Sequence, residues 1–306
     1  MKIDVVIPNY NGAELIRKNL PRVIAGLSEY LGKIIVVDDC SDMLDYETLK
    51  NTIEEYGSKI TLLRNDKNLG FSSTVNIGVK TASTTYVVLL NSDVSPSKNF
   101  LKKPIEDLAQ NSNLFGVGFM DESIEGEKTV KRGRGIASWN RGFLIHRRGE
   151  VDKSDTFWIS GGSSIVNREK FTKLKGFDSI YNPFYWEDID LSYRARKAGF
   201  DLMFESESVV EHRHEEGAIK KHYSKFRVNS IAFRNQFIFV WKNISNSGLI
   251  VSHIVWLPYH IVKAILRADL AFFWGFFLAL LKIPNILKKR AQQNKQNKIG
   301  DQEILR

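Results

Sequence analysis

The run Tyr86–Leu90, closed by Asn91-Ser92-Asp93, constrains this chain more than any other stretch. Five consecutive apolar or aromatic residues bounded by polar ones suit a strand buried on both faces, the kind found in helix-covered parallel sheets. Asp93 then lies just past the strand's carboxyl end, the edge at which open parallel sheets bind ligands. Asn-Ser-Asp also makes an ordinary turn, so the flanking segments must decide.

Those segments alternate. Strand-like runs at 3–7, 33–37, 60–63 and 114–119 are separated by helical patterns at 16–27, 44–56, 72–80 and 100–109, which argues for βαβ units. Asn11 with Glu14 reads as a cap for the first helix, and Pro21 predicts a kink or a late start there. Residues 121–150, with five glycines and many cations, read as an irregular excursion. Short strands follow at 157–159 and 163–166. Helices at 168–175 and 187–197 are closed by Gly176 and Gly199. Residues 223–241 carry Tyr223, Phe226, Phe233, Phe237 and Trp241 on roughly one helical face.

The 306 residues are 43% hydrophobic and 26% charged, enough for a real core and for one large domain or two. Cys40 is the single cysteine, which rules out an internal disulfide or a Cys-cluster metal site and fits a reducing compartment. Met1-Lys2 leads straight into a strand pattern rather than a secretory apolar segment. Residues 249–306 hold nine Lys or Arg against three acids, a net +6 of the chain's +9. Their apolar runs, 249–262 and 268–281, are about 14 residues each, short of the ~20 that span a bilayer. Apolar helices with basic flanks point to an anionic membrane surface and away from nucleic acid.

The expected organisation is therefore a catalytic domain over 1–245, a helical membrane-associating segment over 246–290 separable at Ser247, and a disordered polar tail over 291–306. A buried helical pair or a homodimer interface is the alternative for the apolar helices.

Chemistry-bearing residues cluster at strand ends. Asp38-Asp39 ends the second strand, where an acid can bind a ribose or base or merely cap a helix. Pro8-Asn9-Tyr10-Asn11-Gly12 stands where a GxGxxG fingerprint would, and no GxxxxGK[ST] occurs, so dinucleotide oxidoreductases and P-loop enzymes lose ground. Asp93 could hold a hard cation together with substrate phosphates. Trp186-Glu187-Asp188-Ile189-Asp190 puts three acids in the first turn of a helix, whose dipole favours their ionised form and so suits a general base.

Val36-Val37-Asp38-Asp39, Asn68-Leu69-Gly70-Phe71-Ser72, Asn76-Ile77-Gly78, Leu89–Val94, Gly161–Glu169, Lys175-Gly176-Phe177-Asp178, Trp186–Leu191 and Arg196–Phe200 occur in an order that resembles glycosyltransferase family 2. The likeness runs from residue 1 to about 241 and implies an α/β GT-A fold, a mostly parallel sheet flanked by helices. The subgroup it most resembles adds rhamnose or related sugars to bacterial polysaccharides. The resemblance implies that Pro8, Tyr10, Asn11, Asp38, Asp39, Asn68, Gly70, Asn91 and Ser92 hold the nucleotide. It makes Asp93 the metal ligand for Mg²⁺ or Mn²⁺, with His212 or His214 facing the ion. The family's usual first acid is replaced by Asn91. Asp188 matches the catalytic base, with Glu187 beside it, and Trp158, Gly161, Gly162 and Trp186 fall on the acceptor side.

The expected reaction is inverting transfer from a dTDP-, UDP- or GDP-linked sugar to a polysaccharide or lipid-linked oligosaccharide, on the cytoplasmic face of a bacterial inner membrane. The cations Lys128, Lys131, Arg132, Arg134, Arg141, Arg147 and Arg148 read either as a solvated loop or, through Arg132 and Arg134, as a site for an acceptor diphosphate. A sugar-nucleotide pyrophosphorylase and a non-catalytic scaffold are the rival readings.

Overall fold

The computed structural model describes residues 1–27, 30–212, 223–294 and 296–305. The elements in order are β1 (Ile3–Asn9), α1 (Ala13–Leu27), β2 (Leu31–Asp38), α2 (Met43–Glu54), β3 (Ile60–Arg64), α3 (Phe71–Thr81), β4 (Tyr86–Leu90), β5 (Val94–Pro96) and α4 (Lys102–Gln110). Next come β6 (Leu114–Glu125), β7 (Lys128–Arg132), β8 (Gly135–Asn140), β9 (Phe143–Arg148), β10 (Ser163–Asn167), α5 (Arg168–Lys173), α6 (Glu187–Lys197) and β11 (Asp201–His212). The chain closes with α7 (Lys225–Asn243), α8 (Ser247–Leu266), α9 (Leu270–Leu280), α10 (Ile283–Asn294) and α11 (Asp301–Ile304).

The main sheet runs β3-β2-β1-β4-β10-β6-β11-β5, with β7 paired to β6. Its first four strands are parallel, β10 is antiparallel to both neighbours, and β11 runs parallel to β6. Side chains alternate between two helix layers, as period 2 demands. Val5, Ile7, Ile34, Val36, Val88 and Leu90 enter one core with α1. Val6, Ile35, Val37, Val87 and Leu89 enter the other with α3. Each such side chain stabilises the sheet by roughly 1.5–3 kcal/mol. Gly78 lets α3 approach β1, because a Cβ there would lie 2.4 Å from Val6.

Several expectations are revised. Asn11 does not cap α1; its Oδ1 accepts the Asp42 N–H at 2.9 Å. Residues 121–150 are ordered: β6 continues to Glu125 and pairs with β7, and β8 pairs with β9 as a second sheet. Residues 157–159 form no strand. Within the tail expected to be disordered, 291–294 complete α10 and Asp301–Ile304 form α11, with Asp301 2% exposed.

The C-terminal helices are not a separable appendage. Phe237 and Phe239 of α7 are fully buried with Trp186, Tyr193, Phe272 and Ile304 in one cluster. Gly275 brings α9 onto α7 so closely that a Cβ would lie 2.6 Å from Ser230 O and 2.9 Å from Arg234 N. Helix α8 is 20 residues long, longer than the sequence runs implied, and passes for a membrane span by length and composition. One of its faces carries the β8–β9 hairpin: Trp139 Nε1 donates to Ser252 Oγ, Arg141 Nη1 to Tyr259 OH, and His253 Nδ1 bonds Gly142 O. The opposite face leaves Val251, Ile254, Val255, Val262, Ile265 and Leu266 exposed.

Candidate active site

The carboxyl ends of β1, β2 and β4 share one edge of the sheet, and the chain leaves β4 there through Asn91-Ser92-Asp93. The Asn91 N–H donates to Gly162 O at 2.9 Å, which ties this turn to the 160–163 segment entering β10. Antiparallel pairing of β5 with β11 sets His212 opposite Val94, next to Asp93. His212 Nε2 lies 3.2 Å from Asp93 Oδ1, and His212 Nδ1 lies 2.7 Å from Asp121 Oδ2. Asp121 in turn accepts the Ser123 hydroxyl at 2.6 Å.

Burial opposes charge on His212, but hydrogen bonds and attraction from Asp121 and Asp93 prevail and raise its pKa to about 9. A carboxylate on Nδ1 is the usual outer partner of a metal-bound imidazole; here Nε2 bonds Asp93, and its proton would have to leave before that nitrogen could ligate. Among the described residues no three His, Cys, Asp or Glu side chains are placed to hold a metal ion. Asp93 and His212 supply one carboxylate and one imidazole, so a divalent ion held here would need substrate phosphates to complete its shell. His214 lies outside the described residues. Asp121 was missed because residues 121–150 read as irregular.

Across the Asn91–Gly162 contact stands the start of α6. Tyr185 (φ 70°) and Trp186 (φ 76°) are consecutive left-handed residues with bulky side chains, a conformation costing on the order of 1–3 kcal/mol each. They turn the chain so that Glu187 and Asp188 open the helix. Asp188 accepts N–H bonds from Ile189, at 2.8 Å, and from Gly161. Desolvation outweighs those bonds and pushes its pKa up to about 6. Glu187, 8% exposed and with Oε2 unpartnered, is raised further by burial and by Asp188 beside it. The expectation that the helix terminus would keep these acids ionised is thus corrected: burial wins over the dipole. Asp190 bonds Arg194, Lys242, Tyr181 and Asn243 and serves the fold.

The residues expected to hold nucleotide divide. Pro8, Tyr10, Asn91 and Ser92 are half-buried along the sheet edge, and Asn68 is exposed. Gly70, at φ 82°, begins α3 against Asn182. Asn11 receives and donates backbone-linked bonds with Asp42 and Ser41. Asp38 is 0% exposed and accepts from Asn9 and Ser41, so it shapes the edge and offers no surface to a ligand. Asp39 accepts the N–H groups of Leu69 and Gly70, each at 2.8 Å, and so sets the loop before α3.

Of the residues expected on the acceptor side, Gly161 meets Asp188 and Gly162 packs on Asn91. Trp158 and Trp186 meet over His146 of β9, whose ring lies 5.5 and 5.0 Å from theirs. Trp186 is only 6% exposed and acts as wall more than contact surface. His146, exposed beside them, had no sequence signal. Arg132 pairs with Glu125, and Arg134 is buried against Asp155, so the two arginines proposed for a diphosphate are committed elsewhere. Arg147, Arg148 and Lys153 line a cleft of about 380 Å³.

A twisted, mostly parallel sheet with an acid-bearing turn after its fourth strand, a histidine returning beside it and acids at a facing helix start define the GT-A class. The comparisons agree. The chain belongs to glycosyl transferase family 2, whose family model matches residues 4–175. It is 31% identical over 185 residues to the dolichol-phosphate mannosyltransferase of Pyrococcus furiosus, covering 60% of this chain and 46% of that one. The chain spans less than half the length of this and other curated relatives. The structure of GalNAc-T7 with UDP, GalNAc and Mn²⁺ superposes with a TM-score of 0.67 at 16% identity, over 93% of this chain and 57% of that one. The mannosyltransferase PcManGT of Pyrobaculum calidifontis, with GDP-Man and Mn²⁺, gives 0.56 at 15% identity, over 96% and 84%.

Proposed function

We propose that this chain is an inverting, metal-dependent glycosyltransferase. The carrying observation is the Asp93–His212–Asp121 chain on one side of the Asn91–Gly162 contact and Asp188 on the other. Asp93 Oδ1 and His212 Nε2 would hold Mg²⁺ or Mn²⁺, which supplies positive charge against the diphosphate leaving group. Asp121 orients the imidazole. Asp188 takes the proton of the acceptor hydroxyl, whose oxygen attacks the anomeric carbon opposite the diphosphate. One displacement inverts that carbon, and the C–O bond to the diphosphate breaks.

UDP, UDP-GlcNAc and GDP-Man accompany structural neighbours, so these chemistries lead the donor list, with a rhamnosyl donor added from the sequence resemblance. The acceptor reading is a lipid-linked or polysaccharide glycan. Exposed Trp256, Tyr259, Trp274 and Phe277, with Lys263, Arg267 and Lys282 nearby in the chain, support in-plane docking of α8 and α9 on an anionic leaflet, the cytoplasmic face of a bacterial inner membrane.

Thermal stabilisation by each sugar nucleotide with Mn²⁺, followed by donor hydrolysis with and without EDTA, tests the assignment. A donor at 100 times its dissociation constant adds about 2.7 kcal/mol. Metal-independent binding, or binding with no turnover towards water or any glycan, would favour a scaffold instead.

A further inference from the structure

The loop that presents Asp188 is held from behind by helix α7. The Asn235 side chain, fully buried, directs its amide Nδ2 at three backbone carbonyls: Tyr181 O at 3.0 Å, Phe184 O at 3.0 Å and Tyr185 O at 2.8 Å. An amide NH₂ carries two hydrogens, so these bonds are shared among the three acceptors. The other end of the amide is fixed as well, since Asn235 Oδ1 accepts Arg234 Nε at 2.9 Å. Arg234 Nη2 continues the pattern to Tyr181 O and Asn182 O, at 3.1 and 2.6 Å. Two adjacent α7 side chains thus engage four carbonyls in the five residues 181–185.

That segment ends at Tyr185, which with the next residue Trp186 is left-handed and sets where Glu187 and Asp188 start. A strained turn persists only where its surroundings over-determine it, and buried carbonyls need donors. The Arg234–Asn235 pair meets both needs at once. Behind it lies α9. Gly275 abuts Ser230 O, Phe233 Cβ and Arg234 N, so any side chain at 275 would push on the turn of α7 that carries the pair. The outer face of the same helix exposes Leu270, Trp274 and Phe277.

We propose that Asn235, oriented by Arg234, is a positioning residue for the general base Asp188, and that α9 secures it through the Gly275 contact. The proposal rests on the base assignment above. Neither residue reaches the reacting atoms, and the bonds run through backbone carbonyls. Loss of the clamp should therefore misplace Asp188 while the Asp93–His212 side keeps its grip on donor and metal.

The test compares full-length Asn235→Ala with Leu49→Ala, a core substitution at a fully buried site in α2 that lowers Tm without touching the loop. Both are assayed well below their Tm, by Mn²⁺-dependent binding and hydrolysis of whichever of UDP-GlcNAc or GDP-Man the wild type turns over, and by hydrogen exchange. Asn235→Ala should lower kcat at least tenfold, leave donor affinity within twofold, and speed amide exchange at 184–189 at least tenfold. Leu49→Ala should do none of these. Arg234→Lys, which keeps the charge but loses the fork, and Gly275→Ala should show the same split at smaller size, and they carry the test if Asn235→Ala does not fold. Equal kcat in the Asn235 and Leu49 variants, or unchanged protection at 184–189, would overturn the proposal. If the wild type turns over neither these donors nor a rhamnosyl nucleotide, the functional reading fails, and the exchange comparison still judges the clamp.

Discussion

Lys197 Nζ and Asp301 Oδ1 lie 2.7 Å apart, with side chains 1% and 0% exposed. The same carboxylate accepts the Tyr193 hydroxyl and the backbone N–H groups of Ser245 and Asn246, each at 2.6 Å. One acid four residues from the last described position thus joins α6 to the α7–α8 connection. Removing one partner of a buried pair typically costs about 3–5 kcal/mol, because the other charge is left without compensation. Asp301→Ala should destabilise by that order, and truncation at Ser247 should give insoluble protein rather than a working core. A soluble truncated chain with native circular dichroism would contradict this.

The base should show itself in a pH profile. Burial pushes the Asp188 pKa up to about 6, so the proposed base is protonated below that value and able to accept a proton above it. Turnover should rise tenfold per pH unit below about 6 and level off above. Asp188→Asn should lose ~10²–10⁴-fold in turnover with donor affinity intact. A normal profile in Asp188→Asn, with activity lost in Glu187→Gln, would move the role to Glu187.

The same shift has a stability consequence of definite sign. Folding raises the Asp188 pKa from 3.8 to about 6, so the native state binds this proton more tightly than the unfolded chain. The associated stability is fully present below pH 3.8 and is lost as pH rises through 6. Asp188→Asn should therefore raise Tm at pH 7 more than at pH 4. An equal change at both pH values would show that burial does not penalise the carboxylate.

Asp121 tests the proposed metal site through His212. Asp121→Asn keeps an acceptor near Nδ1 but removes the charge. Outer-shell changes of this kind typically weaken metal affinity by ~10–100-fold. Mn²⁺ titration of donor binding would measure it, and an unchanged midpoint would remove Asp121 from the site.

If the cleft lined by Arg134, Arg147 and Arg148 takes the acceptor, Arg147→Ala with Arg148→Ala should raise the acceptor KM and spare donor binding, since among the described residues neither arginine has an ion pair of the kind that holds Arg134 to Asp155. Arg134→Ala should instead lower Tm, because its guanidinium bonds Asp155 Oδ2 and the carbonyl of Asp155 within the fold. Acceptor kinetics altered by Arg134→Ala at unchanged Tm would reverse the two roles.

What the sequence determined by itself is local. Short continuous apolar runs made β1, β2 and β4 legible, because their strands are buried on both faces, and the acid at the end of β4 marked the ligand edge. The span of α6 and its acids were readable because a helix start leaves its signature within a few consecutive residues. β5 and β11 were not, since a three-residue strand and one interrupted between Glu205 and Val209 carry too little periodicity. What tertiary structure alone decided is which groups meet. Asp121 reaches His212 across 91 positions, Asn235 reaches Tyr185 across 50, and Asp301 reaches Tyr193 across 108. It also set the upward pKa shifts of Glu187 and Asp188, because desolvation depends on what the whole fold stacks around a carboxylate, and the local helix dipole does not report that.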